Sequence, residues 1–522
     1  MESNRQPQPG SPHRRVVIVG GGMAGTRLAQ QLAAGASGGS ADGAGPAAVT
    51  VIGEEPHPAY NRVLLAEVLA GRYAPEVIAL PAPAAGVRRL GGVRVVRVDR
   101  ATAQVLCDDG RRVPYDALVL ATGSNPVLPP LRGLFEPDGH DLPDGVRAFR
   151  TMDDCLALGA AVRPGVRAVV IGGGLLGVSA ARALAQRGAQ VVLAQQGEHL
   201  MERQLDPGAA RLLRRHMTAL GVEVHTACRV RGLRTRPTEP AGDGREPERG
   251  RGRGRGRAVS AVELADGYAL EADLVVLACG VRPRVGLARA AGLEVARGVV
   301  VDDELRTSDP RIFAIGDCAE HEGVVYGLAG AAQEQADVLA RLLSPAPPLP
   351  GTRGLRPLAP RRDSAPQPAA ADRVVGHRSP AGAPPRGGRA RPGHRVAPGG
   401  DGTATRYTGT RALTRLTLTA ASGPAPAVAG TAAPVADGRP APGPLDLAAF
   451  GDPTPAPGDD VVHLTDATRN AYRKVVVRGD RLVGGILLGD LGTVGALART
   501  WEGDEPLPST PLLHLLTNDG GS

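Results

Sequence analysis

Apolar positions along the chain fall into two long stretches that repeat one another, followed by a shorter stretch of different period. Val16–Val19 is an unbroken apolar run rich in β-branched residues, followed by Gly20-x-Gly22-x-x-Gly25 and a helix-forming segment from Met23 to about Ala34. That order predicts a buried strand, a tight turn and a helix. Ala48–Ile52 reads as the next strand and ends at Gly53-Glu54-Glu55. Val93–Val98 and Gln104–Leu106, near the turn signal Asp108-Asp109-Gly110, read as small antiparallel strands that lead into DALVLATG (Asp116–Gly123). The same order then recurs as AVVIGGGLLG (Ala168–Gly177), a strand at Gln190–Leu193, a turn at Asp266-Gly267 and DLVVLACG (Asp273–Gly280). Gly20 to Ala121 is 101 residues and Gly172 to Ala278 is 106, so whole units repeat rather than isolated words. RIFAIGDCA (Arg311–Ala319) adds a buried strand ending at Gly316-Asp317, before the helical stretch Ala329–Leu343.

From Pro345 to about Thr403 the chain is rich in Pro, Gly and Arg without apolar period, which reads as a disordered linker. Alternation at Leu413–Leu418, Val461–Leu464 and Val475–Val483 predicts a small antiparallel domain, closed by a helix near Thr493–Trp501. The expected fold class is α/β, with two Rossmann-like dinucleotide-binding domains and a small C-terminal α+β domain after the linker. The expected boundaries are 14–150 and 273–343 for the two parts of the first module, 151–272 for the second, 344–403 for the linker and 404–510 for the C-terminal domain.

The glycine spacing carries the chemistry. A strand–GxGxxG–helix turn brings backbone close to a pyrophosphate and offers it the unpaired N–H groups of a helix N-terminus. Gly20, Gly22 and Gly25 therefore predict one dinucleotide site, and Gly172, Gly174 and Gly177 a second. An acid after the second strand accepts hydrogen bonds from the adenosine ribose, and Glu54 occupies that place. Asp317 lies at the C-terminal end of a strand beside Gly316, where open α/β sheets bind ligands; the alternative is that it caps the following helix.

Charge changes the picture little. The formal net charge is +8, but 347–403 contributes +7 and 244–257 contributes +4, so the rest of the chain is slightly acidic. RGRGRGRGR (Arg249–Arg257) lacks interleaved aromatics to stack bases, so nucleic acid is not the expected partner. The five cysteines lie at least 39 residues apart, which excludes a CxxC pair or a local zinc or iron–sulfur motif and fits a reducing compartment. No metal site is expected. The polar first residues and the absence of an apolar run near 18 residues predict a cytoplasmic protein with no membrane partner.

AYNRVLLAEVLAG (Ala59–Gly71), LVLATGSNPVLPP (Leu118–Pro130), AFRTMDDCLAL (Ala148–Leu158) and MERQLDPGAARLL (Met201–Leu213) resemble a known family. It is the FAD- and NAD(P)H-binding part of assimilatory nitrite reductase large subunits and nitrate reductase electron-transfer subunits, two-dinucleotide-domain flavoprotein reductases. RYTGT (Arg406–Thr410), LAAFGD (Leu447–Asp452) and YRKVVVRGDRLVGGILLGD (Tyr472–Asp490) extend the resemblance to the C-terminal domain. It implies FAD on the first glycine turn, with Arg62, the Ala121-Thr122-Gly123 turn and the Gly316-Asp317 segment also at that cofactor. It implies NAD(P)H on the second turn. Many relatives carry Glu near the nicotinamide where this chain has Ser179, and Ala194-Gln195-Gln196 supplies neither the acid that favours NAD nor an Arg for the phosphate of NADP.

The implied reaction is hydride transfer from the nicotinamide to the flavin, with no catalytic side chain required. Cysteine chemistry beside the flavin is not expected, because Arg62–Gly71 contains none. No cysteine cluster follows up to Ser522, so electrons are expected to pass to a separate nitrate or nitrite reductase subunit or a small electron-transfer protein. The C-terminal domain is expected over the flavin or at a subunit contact, with a homodimer as one arrangement. A ferredoxin or rubredoxin reductase and a non-catalytic flavin-binding sensor are the alternatives.

Overall fold

A computed structural model describes residues 14–36, 48–82, 84–137, 139–238, 256–344, 405–411, 413–418, 443–466, 468–489, 491–507 and 516. The linker at 345–403, the arginine–glycine tract up to residue 255 and the loop at 37–47 lie outside the described residues. The described parts of 14–344 and 406–516 belong to one compact unit.

Two parallel five-stranded sheets form its centre. In the first the order is Ile312–Ala314, Ala117–Leu120, Arg15–Val19, Ala48–Gly53, Val87–Gly91. In the second it is Val222–His225, Gln190–Ala194, Arg167–Ile171, Leu274–Leu277, Val146–Ala148. Each fingerprint strand has the same two kinds of neighbour: Val19 pairs with Ile52 and Leu120, Ile171 with Ala194 and Leu277. The inner strands are apolar and buried on both faces, as parallel strands covered by helices must be. This pairing corrects the expected boundaries. Val146–Ala148 and Leu274–Leu277, assigned from sequence to the first module, hydrogen-bond into the second sheet. The modules meet where Ser124–Pro126 pairs antiparallel with Val281–Pro283.

Helices cover the sheets as their apolar stripes require. Met23–Ala36 packs against Ala329–Leu343 beside the first sheet. Leu175–Gln186 lies against its own strand in the second module, and its Arg182 is buried in an ion pair with Glu67 of Leu65–Leu69 at 2.6 Å. Helix Met152–Ala161 starts with a capping box: Thr151 Oγ accepts from Asp154 N–H while the Asp154 carboxylate accepts from Thr151 N–H, fixing the backbone just after Arg150.

The C-terminal sheet is antiparallel, in the order Thr414–Leu418, Leu445–Gly451, Arg481–Leu488, Ala471–Arg478, Asp460–Asp466. One face, with Phe450, Val475 and Leu487, buries helix Val494–Glu502 through Leu497 and Trp501. The other, with Leu445, Leu447, Tyr472, Ile486 and Leu488, joins the core of the second module beside Ala209, Leu212 and Leu213. Each such side chain contributes about 1.5–3 kcal/mol when fully buried. The sheet docks on the second module, through helix Pro207–Ala219. The RYTGT segment touches the first, where Tyr407 N–H donates to Asp303 O at 2.6 Å and the Tyr407 ring meets His321 edge-on at 4.9 Å. Among the described residues no helix is long and apolar enough to cross a membrane.

Candidate functional site

The two glycine turns are built alike. Gly20 N–H donates to Ile52 O and Gly172 N–H to Ala194 O, both at 2.8 Å, which ties each turn to the end of the neighbouring strand. A methyl group at Gly25 would lie 2.1 Å from Gly20 O, and one at Gly177 1.7 Å from Gly172 O, so no side chain fits where helix crosses turn. At Gly22 and Gly174 a methyl group would meet nothing within 4 Å. Each turn is closed beneath and open above, the shape of a cradle whose backbone a phosphate approaches directly.

Around the first cradle the side chains are charged and interlocked. Arg62 donates to Glu55 Oε1 at 2.7 Å and to Arg150 O at 2.6 Å, with its guanidinium 5.1 Å from the Tyr60 ring centre. The Tyr60 hydroxyl donates to Glu55 Oε2 at 2.6 Å. Burial alone would raise the Glu55 carboxyl, but the Arg62 charge and the Tyr60 hydroxyl hold it below its ordinary value. Arg150 donates to Ser124 Oγ and to Asp317 Oδ2, both at 2.6 Å, and Ser124 Oγ donates to Asp317 Oδ2 at 2.8 Å. The buried Arg150 Nε has no partner among the described residues, a donor left for a ligand. Gly316 N–H donates to the Gln335 side chain at 2.7 Å, which fixes the turn that carries Asp317.

The remaining predicted residues sit at the edge of this cluster. Glu54 is paired with Arg284, whose Nε donates to Asn125 Oδ1 at 2.7 Å. Ala121 N–H donates to Val19 O at 2.8 Å, and a methyl group at Gly20 would lie 2.0 Å from Ala121 O. Thr122 Oγ donates to Arg284 O at 2.8 Å, and Gly123 O accepts from Arg284 N–H at 2.9 Å, so this turn also carries the crossing between modules. Sequence reasoning missed Glu55, Tyr60, Ser124 and Arg150. Tyr60, Ser124 and Arg150 lie inside segments that carry the resemblance, but the partnership of Ser124 and Arg150 with Asp317 depends on contacts across 26 to 193 residues.

At the second cradle the side chains that bond to the turn and its helix, Gln195 and Ser179, are neutral. Ser179 is buried in its helix, and its hydroxyl donates to Leu175 O at 2.8 Å. Gln195 Oε1 accepts from Gly173 N–H at 2.7 Å. Burial pushes the Cys279 and Cys155 thiols up to about 11 and raises those of Cys107, Cys228 and Cys318 as well. All five stay protonated near neutral pH, which leaves no thiolate nucleophile. No cluster of three or more His, Cys, Asp or Glu suited to a metal occurs among the described residues.

Residues 14–336 match the pyridine nucleotide-disulphide oxidoreductase family. The chain belongs to this family. Its cofactors are FAD and NAD(P)H, and the paired cradles, with the spare Arg150 donor at one of them, fit two such groups. Residues 444–500 match the C-terminal domain of rubredoxin NAD+ reductase. Within the oxidoreductase family, the chain is 37% identical over 332 residues to a nitrite reductase [NAD(P)H] of Bacillus subtilis (strain 168), covering 63% of this chain and 37% of the relative. An assimilatory nitrate reductase electron transfer subunit of the same organism is 35% identical over 331 residues, covering 63% and 38%. The chain thus spans little more than a third of the length of these two relatives. Putidaredoxin reductase CamA of Pseudomonas putida is 33% identical over 316 residues, covering 60% and 68%. The fold is shared with the ferredoxin reductase for the CYP199A2 system from Rhodopseudomonas palustris, at a TM-score of 0.66 and 21% identity over 98% of each chain.

Proposed function

We propose that this chain is an NAD(P)H-dependent oxidoreductase that holds FAD on the first module and the nicotinamide nucleotide on the second, and passes electrons to a separate protein. The observation that carries this reading is the duplicated cradle, with Gly22 and Gly174 open to a ligand within one compact unit. FAD would be held by the backbone at Gly20, Gly22 and Gly25, by Glu54 at the adenosine ribose, and by Arg62, Ala121, Thr122, Gly123, Gly316 and Asp317. Glu55, Tyr60, Ser124 and Arg150 would keep those groups in place. Gly172, Gly174 and Gly177 would take the nucleotide pyrophosphate, with Ser179 two residues beyond Gly177. Bound there, FAD would supply the redox chemistry, acceptance of a hydride from the nicotinamide and release of electrons one at a time.

The chain's own residues position and insulate. Turn amides neutralise phosphate charge, and two arginines and two carboxylates form a balanced network beside the first cradle. An assimilatory nitrate or nitrite reductase subunit is the acceptor this reading favours, because two relatives carry those names. The match of 444–500 to a rubredoxin reductase domain supports a second acceptor class, a small iron–sulfur protein. Purified protein should carry FAD, and NADH or NADPH added without oxygen should bleach it within seconds. Unbleached flavin would reject the enzyme in favour of a flavin-binding sensor. Turnover with nitrate reductase, ferredoxin and rubredoxin in parallel distinguishes the acceptors.

A further inference from the structure

Sequence alone leaves the choice between NADH and NADPH open, because Gln195 and Gln196 follow the strand where an acid or an arginine would decide it. The structure fixes what Gln195 offers. Its backbone is held on both sides, Gln195 N–H donating to His225 O at 2.8 Å and Cys228 N–H donating to Gln195 O at 2.9 Å. Its side chain folds back over the second glycine turn. A methyl group at Gly173 would lie 3.0 Å from Gln195 Cβ and 2.7 Å from Leu200 Cδ2, so the absence of a side chain there is what admits the glutamine. The Gln195 oxygen is used by Gly173 N–H at 2.7 Å. An amide has one oxygen and one NH2, so the group remaining at the strand end is a neutral double donor.

Two acids lie close by; the Glu202 carboxylate packs against the backbone of Gly197, where a methyl group would lie 2.2 Å from either oxygen. Glu202 Oε1 accepts from His199 N–H at 3.3 Å, and Glu223 is 2.6 Å from His225 Nε2. The residue at the corresponding rung of the first sheet, after Ile52, is Gly53, followed by the acid Glu54.

We propose that Gln195 sets the nucleotide specificity of the second module and makes it permissive: its NH2 donates to the ribose 2′-hydroxyl of NADH or to the 2′-phosphate of NADPH, and no charge at that position rejects either. A carboxylate there would accept from the hydroxyls but repel the phosphate. This rests on the reading of the second cradle as the nicotinamide nucleotide site.

The test uses the full FAD-loaded chain. Calorimetric titration with NAD+ and with NADP+ gives the two dissociation constants, and anaerobic flavin bleaching gives kcat/KM for NADH and NADPH. In the wild type the two nucleotides should agree within tenfold by both measures. Gln195→Glu, which keeps an oxygen for Gly173 N–H, should weaken NADP+ at least tenfold relative to NAD+, while its melting temperature and FAD content match wild type. A wild-type preference beyond tenfold would overturn permissiveness. An unchanged ratio in folded Gln195→Glu would overturn the role of Gln195, and if that variant fails to fold, the wild-type ratio decides. Failure of the underlying reading looks different: neither nucleotide binds the wild type and neither bleaches its flavin.

Discussion

The two cradles share a backbone and differ in what surrounds it. Gly20 and Gly172 make the same 2.8 Å bond to the end of the neighbouring strand, and Gly25 and Gly177 exclude a side chain for the same reason. Beside the first stand Arg62, Glu55, Arg150 and Asp317, joined by charge-assisted bonds of 2.6 to 2.7 Å. Beside the second, Gln195 and Ser179 spend hydrogen-bonding capacity on the protein itself. On the proposed reading the repeated turn would supply phosphate binding in both places, and the side chains would set how long each ligand stays. A charged, interlocked wall suits a group retained through many turnovers, whereas a neutral one suits a nucleotide that must leave after each.

The sharpest way to break this comparison is to damage one cradle at a time. Gly25→Ala should abolish FAD retention, and Gly177→Ala should keep FAD while lowering kcat/KM for NAD(P)H by on the order of a hundredfold or more, because backbone must move to admit the methyl group. Flavin absorbance per protein and anaerobic bleaching report the two effects separately. Loss of flavin from Gly177→Ala would show that the sites do not act independently.

Asp317→Ala should weaken FAD by about one to two decades, the value of a charge-assisted bond of about 1.5–3 kcal/mol, and should strand Arg150 without its carboxylate. Apoprotein titrated with FAD measures this. Retention equal to wild type would return Asp317 to a purely structural role.

A smaller effect is expected at Asp206, which caps helix Pro207–Ala219 through Ala209 N–H and accepts from the Tyr472 hydroxyl at 2.6 Å and from Lys474 Nζ at 2.9 Å. Burial tends to raise this carboxyl, yet those three donors hold it below its ordinary value. A depressed pKa gives stabilisation that is complete above the unfolded value, about 3.9, and fades as pH falls through the lower folded value. Asp206→Asn should therefore melt below wild type near neutrality, with the gap closing below about pH 4. A gap that widened in acid would contradict the assignment.

Ser179→Ala should matter least. Its hydroxyl already serves Leu175 O, so KM for NAD(P)H should change less than about twofold. A larger rise would mean that the hydroxyl turns towards the nucleotide.

The strands and turns of both modules were legible because parallel strands are continuous apolar runs and the glycine spacing is tied to one backbone geometry. Leu445–Gly451 escaped notice as a strand for the related reason that it lies between two others and is buried on nearly every residue, so it does not alternate. The boundary at 273 missed because DLVVLACG was recognised as a repeat of DALVLATG but was assigned to the wrong sheet. The glycines and Asp317 followed from local pattern. Arg150 and Ser124 did not, because their meaning arises only where Ser124, Arg150 and Asp317 converge from three distant segments. Gln195 was visible as a missing acid, but the direction of its amide required the Gly173 contact.

The pairing of Ile312–Ala314 with Ala117–Leu120 also bears on the order of assembly. Ser124 and Asp317 touch although 193 residues separate them, and the whole second sheet is encoded between them. A ribosome that has delivered the first glycine turn has made only part of a flavin site, because the strand carrying Asp317 emerges after the second module is complete. Closing so long a loop is entropically cheaper once the intervening chain has folded and drawn its ends together. If the first cradle is the flavin site, the nucleotide module would act as a scaffold during synthesis, and flavin capture would be a late event that reports on successful folding of both halves.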